Sequence, residues 1–275
     1  MNNMLLRALS GSVYVALIVL SLLFGHNYNL FSVLMGVFAV IGVLELEKLL
    51  SAKSPISWGE RLADVMVTVF AFISTLDYSL WWLSTLVLTI YIPIRMIIAV
   101  KVHHDNSLRS FLYSLLAIVY VAIPLMIISY VAMISYMFAL VTFVLIWIND
   151  TGAYLAGRAF GRNKLCERLS PKKTWEGFFG GLILSMIAGY FTPSLLNLGD
   201  NSGILMAVYA ALVSILGTFG DLFESMIKRT LGVKDSGNII PGHGGILDRI
   251  DSLLAVAPGV PFVLMFIASL YAISL

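Results

Sequence analysis

The chain has 275 residues, 60% of them hydrophobic and only 12% charged, with a formal charge of +2. Soluble domains carry about a quarter charged residues, so the composition excludes an ordinary water-soluble fold. The small net charge gives no reason to expect a nucleic-acid partner, and the single cysteine, Cys166, excludes an intramolecular disulfide.

Read from the N-terminus, Arg7 precedes an apolar run from Ala8 to Phe24. No small-x-small cleavage site follows at Gly25-His26-Asn27-Tyr28, so the run reads as a retained helix and not as a signal peptide. Further apolar runs fall near 30–46, 62–76, 80–100, 111–128, 133–156, 175–195, 203–227 and 252–274. A spanning helix needs roughly 20 apolar residues. The charge-free stretch from Phe111 to Ile148 is too long for one such helix and is split near Ser129-Tyr130. The expectation is an all-α polytopic membrane protein of about nine transmembrane helices, with eight as the alternative count.

The basic residues bear on that count. All 17 Lys and Arg lie at the N-terminus, in even-numbered loops or at their flanks, and the odd loops and the C-terminus have none. Cytoplasmic loops are the ones enriched in Lys and Arg. The partition therefore predicts a cytoplasmic N-terminus and cytoplasmic even loops. The chain also divides by character, into a half over 1–128 with short polar loops and few unusual residues and a half over 129–275 that concentrates Gly, Asp and Lys at helix ends.

Ionisable groups near membrane depth mark functional sites by default. Asp150 falls near the end of the sixth run, Asp221 and Glu224 near the end of the eighth, and Asp248 and Asp251 at the start of the ninth. Under the predicted topology all five come to the cytoplasmic edge. Residues three apart share a helix face. Four carboxylates in two such pairs would repel unless cations intervened, and Mg²⁺ prefers oxygen ligands. Ion pairs with Lys228, Arg229 and Arg249 are the alternative explanation.

Between the pairs, the stretch from Lys228 to Gly245 holds five glycines and the basic residues Lys228, Arg229 and Lys234. Close-approaching N–H groups and cations of this kind suit phosphates, while a flexible loop with positive-inside charge accounts for the cations alone. His243 is the only histidine near the acids. The second basic segment, Ser170-Pro171-Lys172-Lys173-Thr174-Trp175-Glu176-Gly177, leads into the seventh run. Its lysines read as holders of an anionic lipid headgroup or as topology signals. Gly177 and Gly181 read as a helix-packing pair. No Walker loop, dinucleotide fingerprint or zinc-protease motif is present.

The run Ser225-Met226-Ile227-Lys228-Arg229, four residues, Lys234-Asp235-Ser236-Gly237, then Pro241-Gly242-His243-Gly244-Gly245-Ile246-Leu247-Asp248-Arg249-Ile250-Asp251 resembles the signature of the phosphatidate cytidylyltransferase family. The segments 170–177 and 149–154 are similar to that family's other recurrent stretches. The resemblance covers roughly the C-terminal half and implies CMP transfer from CTP to phosphatidic acid, giving CDP-diacylglycerol and pyrophosphate. It further implies one or two Mg²⁺ held by Asp221, Asp248 and Asp251, with Glu224 a weaker ligand. Lys228, Arg229, Lys234, His243 and Arg249 would face nucleotide phosphates or the leaving group. Asp150, Lys172, Lys173, Thr174, Glu176, Gly244 and Gly245 would line the substrate side. Also implied are a homodimer, membrane lipids as surroundings, and a cell-membrane location with a cytoplasmic site. The competing readings are a CTP-dependent lipid kinase of the polyprenol type and a secondary transporter.

Overall fold

A computed structural model of the chain describes residues 3–25, 29–52, 56–101, 107–196, 198, 202–240 and 244–271. Its helices are α1 (Asn3–Leu23), α2 (Leu30–Ser51), α3 (Trp58–Ile73), α4 (Trp81–Lys101), α5 (Ser107–Ala117), α6 (Ile123–Ile134) and α7 (Tyr136–Phe160). A hairpin of β1 (Lys164–Cys166) and β2 (Ser170–Thr174) follows, then α8 (Trp175–Tyr190), α9 (Gly203–Thr230), α10 (Leu247–Val256) and α11 (Val260–Tyr271). The expectation of a helical fold holds, with the antiparallel hairpin as the one addition among the described residues.

Among the described residues six helices are long and apolar enough to cross a membrane: Leu30–Ser51, Trp82–Lys101, Ser107–Ile134, Tyr136–Phe160, Gly203–Thr230 and Leu247–Leu270. The chain is thus an integral membrane protein. The helices α3 and α8 have 16 residues each. At 1.5 Å per residue that is about 24 Å, short of a hydrocarbon core of about 30 Å.

The long charge-free stretch does not break at Ser129-Tyr130. α5 and α6 form one rod through a π-helical turn at Ile118–Ala122. The break comes at Ser135, whose side chain caps α7 by accepting from the Phe138 N–H. A serine hydroxyl in extended backbone satisfies one of the orphan donors of a helix start, which is why the chain restarts there. Pro258 lies in a 3₁₀ turn, Ala257–Gly259, that separates α10 from α11.

The chain forms two compact units, residues 1–133 with 230–249 and residues 134–229 with 250–275. The first has an apolar core that includes Ile18, Met35, Val43, Leu46, Leu125 and Ile128. Set into it is a buried polar cluster. Asp64 of α3 accepts from the hydroxyls of Tyr91 (α4) and Ser114 (α5). Arg95 of α4 is 2% exposed and donates to Ser114 Oγ at 2.8 Å and to Glu60 Oε1 at 3.0 Å. Glu47 of α2 is fully buried, with the Arg61 guanidinium 3.5 Å away. Charged groups at such depth persist when paired or hydrogen-bonded. The bonds of Asp64 and Arg95 tie α3, α4 and α5 together, whereas among the described residues neither Glu47 oxygen accepts a hydrogen bond.

In the second unit, α7 packs on α8 through small residues. A Cβ on Gly181 would stand 2.7 Å from both the backbone oxygen and the side-chain Oδ1 of Asn149. One on Gly177 would stand 2.7 Å from the Ala153 carbonyl oxygen. The packing reading of Gly177 and Gly181 is therefore correct. Phe138 stacks on Tyr209 of α9 with ring centroids 5.1 Å apart, and Tyr209 shares a 2.6 Å hydrogen bond with Thr142.

Candidate active site

Within the second unit a pocket of about 250 Å³ is lined by Asp150 and Tyr154 of α7, Lys172 and Lys173 of β2, and Thr218 and Asp221 of α9, with others. Each wall has a local cause. Thr174 ends the hairpin and caps α8, its hydroxyl accepting the Gly177 N–H at 3.1 Å. Glu176, in the first turn of α8, accepts the backbone N–H groups of Arg162 and Asn163 at 3.1 and 3.2 Å. It also takes the Asn163 side-chain amide at 2.7 Å. These two residues, expected on the substrate side, anchor the hairpin that carries Lys172 and Lys173.

Lys173 Nζ stands 2.7 Å from Asp221 Oδ2 and also donates to the Thr218 carbonyl at 3.4 Å. Asn149, fully buried on α7, is the residue that sequence reasoning passed over. Its Oδ1 accepts from Ser214 Oγ at 2.5 Å and its Nδ2 donates to Thr218 Oγ1 at 3.4 Å. This ties α7 to α9 one residue before Asp150. Its sequence signals are its place beside Asp150 and at the head of segment 149–154.

Asp251 of α10 is half-buried and feels the negative charge of Asp221, Glu224 and Asp150 together. The approach of α10 to α9 depends on Gly220, where a Cβ would stand 2.8 Å from the Asp251 carbonyl oxygen and 2.7 Å from the Ala255 Cβ. Glu224 and Lys228, both buried, form an ion pair at 2.7 Å within α9. Arg229 is exposed at the end of α9. Asp150, Asp221, Glu224 and Asp251 offer oxygen donors only, the ligand chemistry that hard divalent cations take. Among the described residues no three acidic, histidine or cysteine side chains already converge as a ligand set.

The remaining expected residues belong to the first unit. Lys234 is exposed and Arg249 half-buried. Asp248, at the start of α10, is turned to its own loop. Its Oδ2 accepts from Gly245 N at 2.8 Å, Ser236 N at 2.9 Å and Ser236 Oγ at 2.9 Å. Gly244 has φ +81°, a left-handed conformation that favours glycine, and its carbonyl accepts the Ile240 N–H at 2.9 Å. His243 lies outside the described residues.

The fold and this pocket define a class, a helical membrane protein with lysines and carboxylates gathered on α9, α10 and the hairpin before α8. Within that class the chain belongs to the cytidylyltransferase family, whose model matches residues 5–268. It is 46% identical over 134 residues to the phosphatidate cytidylyltransferase of Haemophilus influenzae, 46% of each chain. It is 43% identical over 146 residues to that of Staphylococcus epidermidis, covering 53% of this chain and 56% of the relative. To that of Staphylococcus haemolyticus it is 39% identical over 180 residues, 64% and 69% of the two. The chain thus spans about half the length of the first two of these curated relatives.

Proposed function

We propose that the protein transfers CMP from CTP to phosphatidic acid, producing CDP-diacylglycerol and pyrophosphate. The observation that carries the reading is the gathering of Asp150, Asp221, Lys172 and Lys173 around one pocket, with Asp251 within reach of the charge of Asp150 and Asp221, in a chain whose relatives are named for this activity. A phosphate oxygen of phosphatidic acid attacks the α-phosphorus of CTP. A new P–O bond forms as the bond from the α-phosphorus to the bridging oxygen breaks, and pyrophosphate leaves with the electron pair. Such transfers need little covalent help and rest on positioning and on cations that offset charge.

In this reading Lys172 and Lys173 bind the lipid phosphate, while Lys228, Arg229, Lys234, His243 and Arg249 serve the triphosphate. Asp221 and Asp251 would hold one or two magnesium ions, with Glu224 and Asp248 as further ligands. Bound magnesium would neutralise the triphosphate and the departing pyrophosphate. Asp221 is drawn at present to Lys173, so the lysine is free to turn to substrate phosphate once another cation takes the carboxylate.

Nine spans, a cytoplasmic N-terminus and a cytoplasmic site in a cell membrane belong to the same reading. They are supported by the confinement of all 17 basic residues to the N-terminus, even loops and their flanks. That side is where soluble CTP and bilayer-bound phosphatidic acid can meet. A homodimer is included on the family resemblance alone.

The test is transfer of label to extracted lipid from purified protein, phosphatidic acid, Mg²⁺ and CTP labelled at the α- or γ-phosphorus. Label arriving from the α position alone is expected. Label from the γ position would make the protein a lipid kinase, and none from either would reject both.

A further inference from the structure

We infer that Glu45, on α2 in the half of the chain farthest in sequence from the signature, is a positioning residue for the glycine-rich loop and for Asp248. Glu45 is 5% exposed, and its carboxylate is turned wholly to that loop. Oε1 accepts the Ile246 N–H at 3.1 Å, and Oε2 accepts the Leu247 N–H at 3.0 Å and the Ser236 hydroxyl at 3.3 Å. The three donors lie 191 to 202 residues away in sequence. Hydrogen bonds to an ionised carboxylate are roughly twice as strong as neutral ones. This carboxylate also stands at the N-terminus of α10, where negative charge is favoured.

The same contacts account for two of the loop's glycines. A Cβ on Gly237 would stand 2.5 Å from Glu45 Oε1, and one on Gly245 would collide with both Glu45 oxygens and with Ser236 Oγ. Gly237 and Gly245 are therefore the clearance through which Glu45 reaches the backbone, an explanation separate from phosphate wrapping. Ser236 is the common element. Its hydroxyl meets Glu45, while its N–H and hydroxyl both meet Asp248. Glu45 thus fixes the loop that in turn fixes the Asp248 carboxylate, and touches no reacting atom itself.

The consequence for catalysis rests on the cytidylyltransferase reading, so the experiment reads the loop separately from the reaction. Full-length protein in detergent is compared as wild type, Glu45→Gln and Leu46→Ala. Leu46 is a fully buried neighbour on α2 that serves as a packing control. Hydrogen exchange is followed at residues 236 and 245–247, and kcat and KM for CTP are measured alongside.

For Glu45→Gln the expected result is exchange at those amides faster by about tenfold or more. It should also show kcat lower by about 100-fold, the scale of a small misplacement, with thermal stability no worse than that of Leu46→Ala. Leu46→Ala should lose stability and keep both the exchange pattern and kcat. Should Glu45→Gln not fold, Glu45→Asp, which keeps the charge and shortens the reach, is read in the same way. Unchanged exchange in the folded variant overturns the inference. Faster exchange with unchanged kcat overturns the catalytic consequence. If the wild type itself shows no cytidylyl transfer, the proposed function fails while the exchange result still decides the role of Glu45.

Discussion

Two carboxylates of the first unit and two of the second are treated in opposite ways. In the first unit, Asp64 and Glu45 face donors, with hydroxyls and backbone N–H groups on the oxygens described. In the second, Asp251 faces other carboxylates, and Asp221 is offset by one half-exposed lysine. A carboxylate enclosed by fixed donors is part of the scaffold, because its charge is already compensated. One crowded by its own kind awaits a mobile cation or substrate, and its compensation is left to function.

The contrast breaks most sharply at Asp251. Asp251→Asn should lower cytidylyl transfer by about 100-fold or more, the scale of losing one preorganised charge-stabilising group. It should leave thermal stability unchanged or raised, since a repulsion is relieved. A concurrent loss of stability would show that Asp251 is scaffold after all. The reciprocal change is Arg95→Met in the first unit. Removing the buried guanidinium takes one partner from Glu60 and one from Ser114. With Glu60 partly exposed, the loss should fall at or below the low end of the about 3–5 kcal/mol that breaking a buried pair costs. Denaturation in mixed detergent micelles should show that loss, with kcat of the surviving folded protein within a few-fold of wild type.

A smaller effect sharpens the comparison of surfaces. Gly181→Ala should destabilise by about 1–3 kcal/mol through overpacking against Asn149. Gly59→Ala in α3, where a Cβ would meet nothing within 4 Å, should be neutral or gain up to about 1 kcal/mol from helix propensity. Equal effects at the two glycines would remove the case for a close-packed α7–α8 contact.

Much of the fold was legible in the sequence. Most apolar runs became helical rods, because long apolar segments in a bilayer have to satisfy their own backbone. The split placed at Ser129-Tyr130 went astray since the stretch has no charge, Gly or Asp to mark a break, and the decisive cap is a single serine, Ser135. The hairpin at 164–174 was hidden for another reason, as strands reading Lys-Leu-Cys and Ser-Pro-Lys-Lys-Thr carry no apolar alternation. The acids were legible because charge at membrane depth is rare. Their division into scaffold and site was not, since it depends on donors distant in the chain. Glu45 was invisible on this ground. Beside Lys48 it looks like any interfacial acid, and its partners follow some two hundred residues later.

That separation has a counterpart in time. A ribosome adds about 5–20 residues each second, so α2 emerges some 10–40 s before Ser236, Ile246 and Leu247 exist. For that interval Glu45 is an acid without its final partners, at the end of a helix already committed to the bilayer. The closing of the signature loop onto it is therefore among the last events of biogenesis, and a chain stalled or cut short before residue 236 would be left with that carboxylate unanswered.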